Sequence, residues 1–225
     1  MKFAGLTKST LLDFPGTLAC IVFTSGCPFD CFYCHNREAI EGSSSFSFDE
    51  IRAFLLKRRS LLEGVVITGG EPTIQQDLPD FLIWLHSLGY KVKLDTNGCN
   101  PSVFSSLCKE GLLDYAAVDY KAPKARYKEI CGSLAEASIV LETIGVAVDS
   151  SLPFEIRTTM APTLTLDDLK TMREELFPVL KGSKPFWRLN KYHMPASYKR
   201  EDETRVQGPF ANEKELEAWQ TLLRF

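Results

Sequence analysis

Two periodicities alternate along this chain. Short apolar runs bounded by glycine, proline or charge are separated by stretches in which apolar residues recur three and four positions apart. The first run, Leu18-Ala-Cys-Ile-Val-Phe-Thr24, reads as a buried strand, and residues 65–67, 91–94, 115–118, 154–156 and 186–189 read as five more. Between them lie helical patterns. The capping box Ser47-x-x-Glu50 opens a helix with Ile51, Phe54 and Leu55 on one face, and Gly64 is expected to stop it. Phe81, Trp84, Leu85 and Leu88 form the apolar face of the next helix, which Gly89 ends; His86 on it is expected at the surface. Asn100-Pro101 is expected to cap a third helix, ended by Gly111. One or two helices fill 124–147, another spans 166–180, and Asn212-x-x-Glu215 opens the last. A polar link is expected over 41–45, and a solvated or mobile loop over the charge-dense segment 195–209.

Strand and helix therefore alternate at least five times, which predicts a mostly parallel sheet with right-handed crossovers. Six repeats fall short of a closed eight-stranded barrel, so the expected fold is α/β, a partial (β/α)6 TIM-like barrel in one domain over 1–225. Within it, 1–17 is an N-terminal strand or hairpin, 18–193 the barrel core, and 194–225 a charged loop and C-terminal helix. Each strand ends in a polar or glycine-rich cluster: Thr68-Gly69-Gly70-Glu71-Pro72, Asp95-Thr-Asn-Gly98, Asp119-Tyr-Lys121, Arg157-Thr-Thr159 and Asn190-Lys-Tyr-His193. Barrel-like folds build their sites from loops at these strand ends, so all the clusters are predicted to face one cavity.

Composition narrows the partners. The net charge is −3 over 225 residues with no basic block, which disfavours nucleic acid. The longest apolar runs are far below the roughly 20 residues of a membrane helix. The N-terminal apolar stretch is too short for a signal peptide, so a cytoplasmic protein is expected. The seven cysteines are odd in number and show no disulfide-like framework. Cys20 is expected in the core. Cys99, Cys108 and Cys131 are expected to be buried apolar residues, with an auxiliary cluster as the alternative.

The chemistry concentrates in Phe23-Thr-Ser-Gly-Cys27-Pro-Phe-Asp-Cys31-Phe-Tyr-Cys34-His-Asn36. Three thiols on one short loop can converge on one soft metal centre, and thiolates select iron–sulfur clusters, zinc or Cu(I). A structural zinc site needs four protein ligands, and no second CxxC is present. His35 would complete a Cys3His set only from a position adjacent to Cys34. A four-iron cluster on three cysteines would instead leave one iron open.

The motif Cys27-x3-Cys31-x2-Cys34 resembles that of the radical S-adenosylmethionine (SAM) superfamily. With Asp13-Phe-Pro-Gly16 and Cys34-His-Asn36 it is similar to the glycyl-radical-enzyme activases, above all those of anaerobic ribonucleoside-triphosphate reductase. The likeness weakens after Met194. It implies a six-stranded partial barrel, a 4Fe-4S cluster held by Cys27, Cys31 and Cys34, and SAM on the open iron. Reductive cleavage would yield a 5′-deoxyadenosyl radical that abstracts hydrogen, and a flavodoxin- or ferredoxin-type protein would supply the electron. The resemblance also places Tyr33 beside adenine and Gly69-Gly70-Glu71-Pro72 around the SAM amino group. It places Asp95, Asp119 and Lys121 near the ribose, carboxylate and substrate, and His193 near SAM. In some activases two aspartates bind a monovalent cation; Asp95, Thr96, Asp119 and the Tyr120 carbonyl would be its ligands here.

Bland roles stand beside these. Phe32 and Tyr33 could simply pack the loop, and Gly-Gly-Glu-Pro is a common turn. Asp95 could cap a turn, and Asp119 could pair with Lys121. Arg157 could grip the SAM carboxylate as a fork of donors, or bridge Glu155 or Asp119. Asn36 could brace the cluster loop or only shape a turn. The leading expectation is an activase acting on a glycyl radical enzyme. The alternatives are a small-molecule radical SAM enzyme, similar to 7-carboxy-7-deazaguanine synthase, and a non-catalytic iron–sulfur or zinc module.

Overall fold

The computed structural model describes residues 1–40 and 45–225; most of the expected polar link at 41–45 lies outside them. Seven strands form one sheet in sequential order: β1 (Phe3–Thr10), β2 (Ala19–Thr24), β3 (Gly64–Gly69), β4 (Lys91–Thr96), β5 (Tyr115–Asp119), β6 (Phe154–Thr159) and β7 (Phe186–Asn190). β1 runs antiparallel to β2, and every later pair is parallel. The sheet does not close, because β1 and β7 remain edges. The crossovers carry α1 (Arg37–Ile40), α2 (Phe48–Arg58), α3 (Leu78–Ser87), α4 (Pro101–Lys109), α5 (Tyr127–Cys131), α6 (Ala137–Ser150) and α7 (Leu166–Leu180). Short α8 (Glu203–Val206) and α9 (Glu213–Leu222) follow β7. This is the expected partial barrel with one added antiparallel strand.

Strand parity explains the layers. Cys20 and Val22, Val65 and Ile67, Val92 and Leu94, Ala116 and Val118, and Ile156 point to the helices and form the large outer core. The opposite face divides in two. On β2 and β3 it is apolar, with Ala19, Ile21 and Val66 packed around Phe14. On β4 to β7 it is ionic, bearing Lys93, Asp95, Asp119, Glu155, Arg157 and Arg188. Phe14, 4% exposed, plugs the N-terminal end of the strands. Burying its ring contributes about 2–3 kcal/mol.

Phe14 also corrects the reading of Gly64. This glycine does not stop α2, which ends six residues earlier at Arg58. It opens β3, where an added Cβ would lie 2.9 Å from the Phe14 ring and from the Thr17 methyl. Asn100 does precede α4, but it makes no side-chain cap; its amide donates to the Thr73 carbonyl at 3.1 Å, tying two strand-end loops together. His86 is half-buried rather than at the surface, with Nε2 3.2 Å from the Leu112 carbonyl oxygen. The capping boxes at Ser47 and Asn212 form as expected. The free edge of β7 is covered by α9, whose Gln220 accepts from Leu189 N at 2.7 Å and donates to the Trp187 carbonyl.

The segment 195–209 departs most from expectation. Three of its charged residues, Lys199, Asp202 and Arg205, are engaged by the protein, while Arg200, Glu201 and Glu203 are exposed. Arg205 lies 4.1 Å from the Phe32 ring centroid and donates to the Glu129 carbonyl at 2.7 Å. Lys199 pairs with Asp30, Asp202 is buried against Arg205, and Tyr192 donates to the Val206 carbonyl at 2.8 Å. The segment is a strap over the cysteine loop. A charge count could not foresee this, because the partners lie about 170 residues away in sequence.

Candidate functional site

The parallel register brings the strand ends together. Thr24 lies opposite Gly69, Ile67 opposite Leu94, Thr96 opposite Val118, Asp119 opposite Arg157 and Thr159 opposite Asn190. Inside this rim is a cavity of about 450 Å³. Cys27, Cys31, Cys34, Tyr33, Asn36, Gly69, Gly70, Asp95, Asp119, Lys121 and Arg157 all line it. Glu71 and His193 do not.

The cysteine loop is anchored from several sides. Gly26 N donates to the Ala39 carbonyl at 2.6 Å, and the Gly26 carbonyl accepts from Glu71 N at 2.8 Å. An added Cβ on Gly70 would sit 2.0 Å from that same carbonyl oxygen, so only glycine permits the approach. Asn36 donates to the Gly69 carbonyl at 3.3 Å, bracing the loop as expected. Arg37, buried, donates to the Cys31 carbonyl at 2.7 Å and pairs with Asp30. Asn97 donates to Cys27 Sγ at 3.5 Å while its own side-chain oxygen is held by Cys99 N.

Glu71 is fully buried and accepts four bonds: from Thr73 N at 3.0 Å, the Thr73 and Thr96 hydroxyls at 2.7 Å each, and Asn97 N at 2.7 Å. Burial nevertheless raises its pKa. Its side chain locks the β3 end to the β4 end, so what its segment turns toward the cavity is the backbone of Gly69 and Gly70. His193 is exposed and stands outside the cavity lining. His35 lines the cavity mouth in its place, its pKa lowered by burial and by the nearby His193.

Charges on the ionic wall form a chain of pairs. Lys93 donates to Asp95 at 2.8 Å, Arg157 to Asp95 at 2.8 Å and to Asp119 at 3.0 Å, and Lys121 to Asp119 at 2.8 Å. Arg188 holds Glu155 at 3.0 Å beneath them. Burial works to raise the Asp119 pKa, but Lys121 and Arg157 outweigh it and hold it down at about 2. Burial likewise opposes charge on Lys121, and Asp119 outweighs it, keeping the ammonium charged. The four oxygen groups expected to hold a monovalent cation are engaged by the protein: the Tyr120 carbonyl accepts from Thr158 at 2.6 Å, and Thr96 donates to Glu71. Ammonium and guanidinium groups supply the positive charge at this place.

The thiol set suits a cluster. Burial pushes the Cys27 thiol up to about 12 and raises Cys34, so the folded chain alone leaves both protonated. Binding a metal to such thiols displaces their protons. Among the described residues no three His, Cys, Asp or Glu side chains converge closely enough for one metal ion. A single zinc ion with bonds near ~2.3 Å needs such convergence, whereas a four-iron cluster spans wider sulfurs. The Tyr33 hydroxyl beside them is buried without a hydrogen-bond partner.

Sequence reasoning missed Asn97, Lys93, Arg37 and Cys131. Lys93 was findable, since a strand puts i and i+2 on one face and Asp95 had been singled out. Asn97 sat inside a recognised motif. Nothing in the spacing marked Cys131.

A model of the radical SAM superfamily matches residues 21–176. A provisionally named glycyl-radical enzyme activating enzyme of Methanocaldococcus jannaschii is 32% identical over 165 residues, covering 71% of this chain and 68% of that protein. A provisionally named GTP 3′,8-cyclase of Pyrococcus horikoshii is 32% identical over 120 residues, covering 52% of this chain but only 39% of the cyclase. Among solved structures, TYW1 with a lysine–pyruvate adduct aligns with TM-score 0.65 at 18% identity, over 91% of this chain and 72% of that one. Streptococcus suis SuiB bound to SAM aligns with TM-score 0.67 at 16% identity, over 90% of this chain and 48% of that one. The fold, the three-cysteine loop and the match over more than half of its length agree: this chain belongs to the radical SAM superfamily.

Proposed function

We propose that this radical SAM enzyme activates a glycyl radical enzyme, removing a Cα hydrogen from a glycine of a larger partner protein. The observation that carries this reading is the open side of the sheet. β1 and β7 do not pair, and α9 covers the β7 edge only along Trp187–Leu189, so beyond it the cavity wall formed by Asp119, Lys121, Arg157, Thr159 and Asn190 has no further strand across it and a chain segment can approach. A glycine brings no side chain, so only backbone need enter about 450 Å³. Phe29 and Tyr33 are 3% and 4% exposed, which leaves little ring face to sandwich a purine-like substrate. The name of the archaeal relative supports the same reading.

The bound cluster and SAM would supply one-electron reduction and hydrogen abstraction by a 5′-deoxyadenosyl radical. Cys27, Cys31 and Cys34 would hold the cluster. Gly69 and Gly70 offer backbone without a Cβ to the SAM amino group, Tyr33 and Asn36 close the wall beside it, and the ionic wall takes its polar end. Arg157 and Lys121 already hold two carboxylates, so a bound carboxylate would share their donors with Asp95 and Asp119. A flavodoxin- or ferredoxin-type protein is the expected reductant.

The test is anaerobic. The chain is reconstituted with iron and sulfide, then given SAM and dithionite, with and without a glycyl radical enzyme from the same source. The expected result is 5′-deoxyadenosine, lost in Cys31→Ala, and a glycyl radical signal in electron paramagnetic resonance. Cleavage driven by GTP, with no radical on the protein partner, would refute the reading.

A further inference from the structure

Cys131 was expected to be a buried apolar residue, with an auxiliary cluster as the alternative; it is buried, and it lies against the middle cysteine of the cluster loop. α5 ends there as a hook. Asp30 N donates to the Cys131 carbonyl at 2.8 Å and Phe32 N donates to the Ile130 carbonyl at 3.3 Å, so the residues on both sides of Cys31 are bonded to the C-terminal turn of α5. Gly132 makes the approach possible: its φ is +94°, and an added Cβ would lie 2.9 Å from the Asp30 Cβ. Tyr127 holds α5 from beneath, stacked on Tyr120 at 5.7 Å and edge-on to Phe29 at 6.3 Å. Cys131 is fully buried, Cys31 is 7% exposed, and the two thiols lie close enough that Cys131 lowers the Cys31 pKa while burial, helped by Cys31, raises that of Cys131.

With a cluster bound, Cys31 carries no proton, so the neighbouring Cys131 thiol can act toward it only as a donor. We propose that Cys131 is a positioning residue of the cluster, donating its thiol hydrogen to the Cys31 sulfur and so raising the cluster's reduction potential. This deepens the radical SAM assignment and is independent of which substrate the enzyme takes. The physical basis is electrostatic. Reduction adds negative charge to the cluster and its thiolates, and a donor aimed at one of those sulfurs stabilises the reduced form more than the oxidised form. The S–H group is a weak donor, but here it is buried on a hook that two backbone hydrogen bonds and two ring contacts hold in place, so little ordering remains to be done.

The experiment is a redox titration of the reconstituted protein without SAM or substrate, followed by electron paramagnetic resonance of the reduced cluster. Cys131→Ala removes the donor and is expected to move the midpoint to a more negative potential at unchanged iron content. Cys131→Ser keeps a donor in nearly the same volume and is expected to stay at or above the parent midpoint. If the alanine variant does not load a cluster, Cys131→Val, which keeps the bulk and lacks the donor, is titrated in its place. A loaded apolar variant with the parent's potential, or a serine variant shifted as far negative as the apolar one, overturns the proposal.

Discussion

Replacing Gly70 with alanine should unseat the cysteine loop, and the size of the effect follows from one distance. The new Cβ would meet the Gly26 carbonyl oxygen at 2.0 Å and the Gly26 carbonyl carbon at 2.7 Å. Ordinary contacts begin near 3.4 Å, so the backbone of Gly26 must retreat by more than an ångström. That retreat lengthens the bond from Glu71 N, now 2.8 Å, and the 2.6 Å bond from Gly26 N to Ala39. Overpacking alone costs about 1–3 kcal/mol. Two weakened backbone bonds add about 1 kcal/mol each. A total near 3–4 kcal/mol is expected, which lowers the urea midpoint of the cluster-free chain by about 1 M for a slope near 3 kcal/mol/M. Cys27 is the next residue, so iron retained after anaerobic reconstitution should fall as well. Gly111→Ala is the control. Its φ is +67° but nothing lies within 4 Å, so it carries backbone strain alone, about 1 kcal/mol, with full iron loading. Equal midpoints and equal iron content for the two variants would refute the reasoning, because the close approach at Gly70 would then carry no weight.

Two further perturbations address the ionic wall and the strap. Asp119→Asn should lose about 1–2 kcal/mol at pH 7, a shift of nearly two pKa units discounted for a side chain one-quarter exposed. Because the folded pKa is depressed from 3.8 to about 2, this stability is present above pH 3.8 and lost as pH falls through 2. The gap between variant and parent urea midpoints should therefore narrow between pH 5 and pH 3, and a gap independent of pH would exclude the charge as its cause. Arg205→Ala removes the contact with the Phe32 ring and the bond to the Glu129 carbonyl. It should cost about 1–2 kcal/mol and raise hydrogen exchange across 195–209 while that in β2 to β5 is unchanged; protected exchange in the strap would show that its apolar anchors, not Arg205, hold it.

The fold was legible where burial enforced a simple period. β2 and β3 are buried on both faces, so their runs are continuously apolar, and α7 (Leu166–Leu180) coincides with the helical stretch read over 166–180. Strand ends ran one to three residues longer than the apolar runs, because Asp95, Asp119 and Arg157 continue the ladders as inward-facing charges that a hydrophobic pattern cannot count. Site residues were legible where chemistry and strand-end position coincided, as for Cys27, Cys31, Cys34, Asp119, Lys121 and Arg157. Glu71 and His193 were placed by their neighbours in sequence, but a strand-end residue can turn into the protein, as Glu71 does, or out to solvent, as His193 does, and backbone geometry decides which. Cys131 and the strap act through contacts that span 100 residues or more, beyond any local pattern.

Those long-range contacts also explain how a loop of twelve residues between Gly26 and Arg37 can be stiff without regular structure. The β3 end holds Gly26, α5 holds Asp30 and Phe32, Arg37 holds the Cys31 carbonyl, and Asn97 reaches the Cys27 sulfur. Each anchor belongs to a different crossover of the barrel, so the three sulfurs are positioned by the fold as a whole and not by the loop's own preferences. A cluster that accepts one electron gains from this arrangement, because fixed donors and a fixed cavity wall need little reorganisation when the charge changes. The ionic wall differs in kind. Asp95, Asp119, Arg157 and Lys121 satisfy one another, and a polar ligand can enter only by exchanging partners with them. Rigidity at the sulfurs and exchangeable pairs opposite them divide the cavity into two unlike sides, and under the proposed function the first would hold the cluster and the second would meet the polar end of SAM.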